Sequence, residues 1–131
     1  MDKIREHLWV GNMEAVEEEN LRENGITAVL NVAYEINDPA RDYKEVKQIK
    51  VGLGDAFDNS SVMKEIAVNT LKTLLYNGEN VLVHCAVGAS RSVFVVVKAI
   101  AQMEDKANHD VLDEVQKIRP IAMYGPLFAD F

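Results

Sequence analysis

Cysteine occurs once in the 131 residues of this chain. A lone thiol excludes an intrachain disulfide framework and fits a reducing, cytoplasmic setting. It also lacks a resolving partner, so recovery from oxidation needs another molecule's thiol or a backbone nitrogen. The three histidines are scattered, which gives no metal-ligand cluster and no expectation of a metal or other cofactor. No apolar run approaches the ~20 residues of a membrane span, and residues 1–6 carry no signal-peptide pattern. Basic residues are outnumbered, 14 against 21 acidic, for a net charge of −7. Nucleic-acid binding rests on basic patches, so this deficit argues against nucleic acid and against anionic membrane surfaces as partners. Repeats, linkers and low-complexity tracts are missing too, and residues 1–131 are expected to form one domain. What is present is 48% hydrophobic and 27% charged, a globular composition long enough to bury a real core.

The single cysteine stands at the end of an apolar run, in Val81-Leu82-Val83-His84-Cys85-Ala86-Val87-Gly88-Ala89-Ser90-Arg91-Ser92. A buried strand, a tight loop and the first turn of a helix are expected here. Such a loop turns its backbone N–H groups inward, and the helix start adds positive partial charge, so residues Ala86, Val87, Gly88, Ala89, Ser90 and Arg91 form a candidate anion cradle. A thiol at a helix N-terminus beside a cation is favoured as the thiolate, the nucleophilic form. Arg91 offers a planar fork that matches two phosphate oxygens. Gly88 allows the backbone to turn where a Cβ would clash. A sulfur nucleophile beneath a phosphate-shaped cradle points to phosphoryl transfer onto sulfur. The bland alternative is a buried cysteine in a strand-to-helix turn.

Along the rest of the chain, residues 6–12 read as a short strand, with His7 at the surface and Trp9 in packing. Residues 13–24 read as one helix with Met13, Val16 and Leu21 on its apolar face, and Gly25 as its stop. Glu17, Glu18 and Glu19 form a solvated face. Residues 26–33 are a buried-strand run, 34–43 a polar loop with an Asp38-Pro39 turn signal that lines one edge of the site, and 46–51 a further strand. Gly52, Gly54 and Asp55 then suggest a loop free to move. A helix from residue 60 or 61 to 76 follows, with Val62, Ile66, Leu71 and Leu75 at helical spacing. Val93-Phe94-Val95-Val96-Val97 has strand propensity. The cradle argument makes it a buried helix instead, since packing outweighs propensity costs of tenths of a kcal/mol each. Residues 108–117 give a last helix, with His109 exposed and Val111, Leu112, Val115 and Ile118 on the apolar face.

His84-Cys85, Gly88 and Arg91-Ser92 together resemble the HCxxGxxRS signature of cysteine-dependent protein phosphatases. Residues 8–11, Gly25-Ile26-Thr27 and Val29-Leu30-Asn31-Val32 extend the likeness to dual-specificity phosphatases, over residues 8–120. The resemblance implies an α/β fold, with a central, mostly parallel twisted sheet of four to five strands and helices on both faces. It implies a phosphorylated protein or peptide as substrate, with phosphotyrosine and phosphoserine or phosphothreonine both accepted. Cys85 is then the nucleophile and Arg91 the phosphate ligand. Asp55, thirty residues before Cys85, matches the general acid that a poor leaving group requires; Asp58 reads rather as a cap or dipole partner before Ser60. Ser92 donates to the departing thiolate, or is an ordinary first-turn serine. The family's counterpart of Asn31 bonds the phosphate loop; the other reading is a strand-end asparagine capping a turn. His84 orients the loop and supports the thiolate without shuttling protons. Ile118-Arg119-Pro120 resembles the family's Arg-Pro turn, but residues 123–128 depart from the usual continuation, as does Val93. Three alternatives share parts of this pattern: a phosphatase of phosphoinositides or RNA 5′-phosphates, a rhodanese-like sulfurtransferase, and a non-catalytic phosphopeptide-binding module. The cradle's lack of lysine disfavours the first.

Overall fold

The computed structural model describes residues 1–38, 46–54 and 60–123. Five strands form one sheet: β1 (Asp2–Arg5), β2 (Leu8–Gly11), β3 (Ala28–Ala33), β4 (Lys47–Leu53) and β5 (Val81–His84), in the order β1-β2-β5-β3-β4. β1 runs antiparallel to β2, and the other pairings are parallel. This is the expected sheet. The helices are α1 (Glu18–Glu23), α2 (Ser61–Tyr76), α3 (Arg91–Glu104) and α4 (Asn108–Ile118), with a 3₁₀ turn at Met13–Val16.

Strand residues alternate between two cores, because successive side chains leave a strand on opposite faces. Leu8, Val10, Leu30, Val81 and Val83 pack toward α2, α3 and α4. Trp9, Val29 and Leu82 meet Ala15, Val16 and Leu21 on the other side. α3 lies between α2 and α4. Its residues 91–97 are all buried, which is how a run of β-branched valines is accommodated as helix.

Three expectations about the helices change. The helix over residues 13–24 is broken at Glu17, which is extended (φ −61°, ψ 138°). The break lets Ala15 and Val16 reach the sheet as well as Leu21, while Met13, expected on the apolar face, is exposed. Gly25 does stop α1, at φ +65°. In α2 the buried face is Ala67, Val68, Leu71 and Leu74, whereas Val62 and Ile66 are exposed. Large side chains suggested a face rotated from the true one, which turns on Ala67, small enough to let the helix lie close. Ile118 is likewise exposed at the end of α4.

The register sets the site. Gly11 and Asn31 both pair with His84, and Asn31 pairs with Lys50. β2 and β5 therefore end on this row, while β3 and β4 run on to Ala33 and Leu53, and all four end at the carboxyl edge, where open α/β sheets place ligands.

Candidate active site

β5 ends at His84 and delivers Cys85 to this edge, 3% exposed. Each carbonyl of the loop that follows is bonded outward. Cys85 O lies 3.1 Å from His84 Nδ1, and Ala86 O accepts from Met13 N at 3.0 Å. Val87 O and Gly88 O accept from Arg119 Nη2 and Nε at 3.3 and 2.7 Å. Ala89 O accepts from Met123 N at 2.9 Å, and Ser90 O from Phe94 N at 2.8 Å within α3. In a trans peptide the N–H points opposite to the C=O. Six carbonyls tied to the outside thus turn the N–H groups of residues 86–91 toward the inside. Gly88 N donates to Cys85 Sγ at 3.2 Å, placing the sulfur on that inner side. The Oγ of Ser92 is 3.3 Å from the same sulfur, and Ser92 is fully buried. Among the described residues the buried hydroxyl of Ser90 has no hydrogen-bond partner, and it is a group that a bound oxyanion would satisfy.

Gly88 is required here. Its φ is +77°, and a Cβ would sit 2.6 Å from Gly11 O and 2.5 Å from Arg119 Nη2. Arg119, 7% exposed, is the pillar of the cradle and is neutralised by Asp2 on β1, at 2.7 Å from Nη1. The anchoring of the Arg-Pro turn is thereby explained: its guanidinium fork holds two loop carbonyls.

Arg91 is buried at the first turn of α3. Nη1 and Nη2 make a bidentate contact with Glu35, the Nη2 bond being 2.7 Å, and Nη1 also donates to Leu53 O at 3.0 Å. Glu35 occupies the outer edge of the guanidinium. Arg91 holds the Glu35 carboxyl down to about 2, mainly through this hydrogen bond, with the charge of Lys50 adding a smaller effect. Leu53 ends β4, so the chain passes beside Arg91 two residues before Asp55. Asp55 and its rival Asp58 lie outside the described residues.

Asn31 is placed otherwise than expected. Its Oδ1 accepts from Ala33 N at 2.9 Å and its Nδ2 donates to Ile36 O at 2.7 Å, so it caps the turn after β3 and makes no bond to residues 85–91. The register explains this: Asn31 opposes His84, one row short of the cradle. The turn it caps is further fixed by Lys50 Nζ, which donates to Tyr34 O, Ile36 O and Asn37 Oδ1 at 2.7–2.9 Å. The turn supplies two carboxylates, Glu35 to Arg91 and Asp38 to His84 Nε2, the latter at 2.9 Å. Sequence reasoning placed this loop at the edge of the site but assigned roles to neither carboxylate, nor to Arg119 and Asp2. A pair of acids three residues apart in the loop that follows a central strand was the available signal. Among the described residues no group of three His, Cys, Asp or Glu is placed to hold a metal, and no helix is long and apolar enough to cross a membrane.

A mostly parallel sheet that carries one cysteine into a bowl of amides, with an arginine at the head of the next helix, has the architecture of the cysteine-based phosphatase superfamily. Within that class the chain belongs to the family described as "Dual specificity phosphatase, catalytic domain", which matches residues 8–129. It is 32% identical over 125 residues to human dual specificity protein phosphatase 22, covering 93% of this chain and 66% of that protein. It is 27% identical over 131 residues to mouse dual specificity protein phosphatase 15, covering 98% of this chain and 54% of that protein. The chain thus spans about half to two-thirds of the length of these curated relatives. The crystal structure of DUSP15 superposes with a TM-score of 0.85 at 25% identity, covering 99% of this chain and 83% of that one.

Proposed function

We propose that residues 1–131 act as one catalytic domain that hydrolyses phosphorylated protein side chains, phosphotyrosine and phosphoserine or phosphothreonine, through a phosphocysteine intermediate. The observation that carries the reading is the set of six outward-bonded carbonyls around Cys85, which leaves inward N–H groups matched to a phosphoryl group. Those donors and Arg91 stabilise the charge of the transferring group. Cys85 Sγ attacks phosphorus in line, the P–O bond to the side chain breaks, and Asp55 gives its proton to the departing oxygen. Asp55 then takes a proton from water as that water attacks phosphorus. The P–S bond breaks, inorganic phosphate leaves, and Ser92 Oγ donates to the thiolate it faces at 3.3 Å. No step requires a cofactor. A lone cysteine also supports a reducing, cytoplasmic setting for this chemistry.

A protein substrate is favoured over a phosphoinositide or RNA 5′-phosphate by charge. Residues 86–90 contain no lysine, and Glu35, half exposed and held ionised by Arg91, stands beside the guanidinium. The test is turnover of para-nitrophenyl phosphate, a phosphopeptide panel, an inositol phosphate and thiosulfate by the wild type, Cys85→Ser and Asp55→Ala. We expect phosphopeptide turnover that Cys85→Ser abolishes. Asp55→Ala should slow peptide hydrolysis far more than hydrolysis of the activated aryl ester. If Asp58→Ala shows that pattern instead, Asp58 is the acid; turnover of thiosulfate alone overturns the phosphatase reading.

A further inference from the structure

Asp38 has one hydrogen-bonding partner among the described residues, the Nε2 of His84 at 2.9 Å, and its side chain is 11% exposed. The His84 side chain is fully buried. Its other nitrogen, Nδ1, lies 3.1 Å from the carbonyl oxygen of Cys85. A carbonyl only accepts, so Nδ1 carries a proton. The contact between Nε2 and a carboxylate needs a second proton. The pair therefore holds two protons between a ring and a carboxyl.

We propose that Asp38 is a positioning residue for the nucleophile, holding His84 as a two-proton ring so that a positive imidazolium is fixed on the carbonyl of Cys85. This inference rests on Cys85 being the reactive group. The imidazolium has two consequences. It ties down the first of the six cradle carbonyls, and it polarises the peptide whose N–H belongs to Ala86, the first amide of the bowl. It also sets the ring between the carboxylate, on Nε2, and the Cys85 carbonyl, on Nδ1, so that the positive charge faces the cysteine, which favours the thiolate. The other charged groups packed around the loop are Arg91 with Glu35, Arg119 with Asp2, and Lys50 across the turn. None of these bonds involves Asp38, so a change at Asp38 isolates the imidazolium.

Asp38→Asn keeps a hydrogen-bonding partner for Nε2 but removes the charge that holds the second proton; Asp38→Ala removes both. The rate of Cys85 alkylation by iodoacetate, followed against pH, needs no turnover. The test therefore stands even if no phosphopeptide is hydrolysed. Nitrogen NMR of the His84 ring in the wild type at neutral pH should show protons on both nitrogens, and in Asp38→Asn on one. The alkylation midpoint should move up by about half a pH unit or more in Asp38→Asn. A one-proton ring in the wild type overturns the proposal without any variant being made. So does an unchanged midpoint in folded Asp38→Asn, since a carboxylate that merely packs the turn would lower the melting temperature and leave the alkylation profile alone.

Discussion

Glu35 braces the terminal nitrogens of Arg91. The carboxylate takes one N–H from each terminal nitrogen, and Leu53 O takes another from Nη1. Glu35→Gln sets an amide N–H₂ against a guanidinium donor, so the bidentate contact is lost and the arginine turns more freely. We expect kcat/KM for a phosphopeptide to fall about tenfold, in line with the cost of small misplacements of a catalytic group. A rise instead would make Glu35 a competitor of phosphate rather than a brace. Acid should act on the same contact. The folded carboxyl is held down to about 2 from an ordinary 4.5, so the unfolded chain binds the extra proton between these values. The stabilisation is complete above pH 4.5 and is lost as pH falls toward 2. Because the Glu35 side chain is half exposed, it is worth no more than ~1 kcal/mol. Urea unfolding of wild type and Glu35→Gln at pH 6 and pH 3 should show the difference between them shrinking in acid.

At the scale of elements, α2 and α3 are begun by different means. α3 starts from Ser90 with no side-chain cap bond, and its start belongs to the cradle. α2 has a dedicated cap: Ser60 Oγ accepts from Val62 N and Met63 N at 3.1 and 3.3 Å. Ser60→Ala should cost about 1 kcal/mol of stability in chemical denaturation. Turnover of an activated aryl phosphate should change little, since the bonds of Ser60 among the described residues stay within the first turn of α2. The 3₁₀ turn does more than connect, because Met13 N supplies one of the cradle's outer bonds. The helix–strand ambiguity of residues 93–97 is resolved by burial on every side, a condition under which the cost of valine in a helix is outweighed.

Across the whole molecule, Arg119 joins the two ends of the described chain to its centre. It follows α4, bonds Asp2 on the first strand, and holds Val87 O and Gly88 O from behind. Arg119→Lys keeps a charge but cannot make these three divergent bonds. We expect loss of about 1–3 kcal/mol, from buried carbonyls left unpaired, and a fall in kcat as the cradle loosens. Stability lost with unchanged kcat would show that the cradle keeps its shape without the pillar.

How far this protein could be read from its residues follows from the range of each signal. The α/β class, the parallel strands and the strand–cradle–helix stretch around Cys85, though not β1 or the break at Glu17, rest on local patterns: hydrophobic period, a glycine at a forced turn, an arginine at fixed spacing. Those patterns are written in consecutive residues, so the sequence by itself determined them. The partners of the reactive groups were decided only by the tertiary structure. Glu35 meets Arg91 across 56 positions, Asp38 meets His84 across 46, and Asp2 meets Arg119 across 117. Asn31 is the opposite case: it bonds Ala33 and Ile36 close by in the chain, and its register position opposite His84 keeps it from the distant cradle. Contacts that distant depend on strand order and register, which arise from the burial of the whole sheet and leave no local trace in the chain.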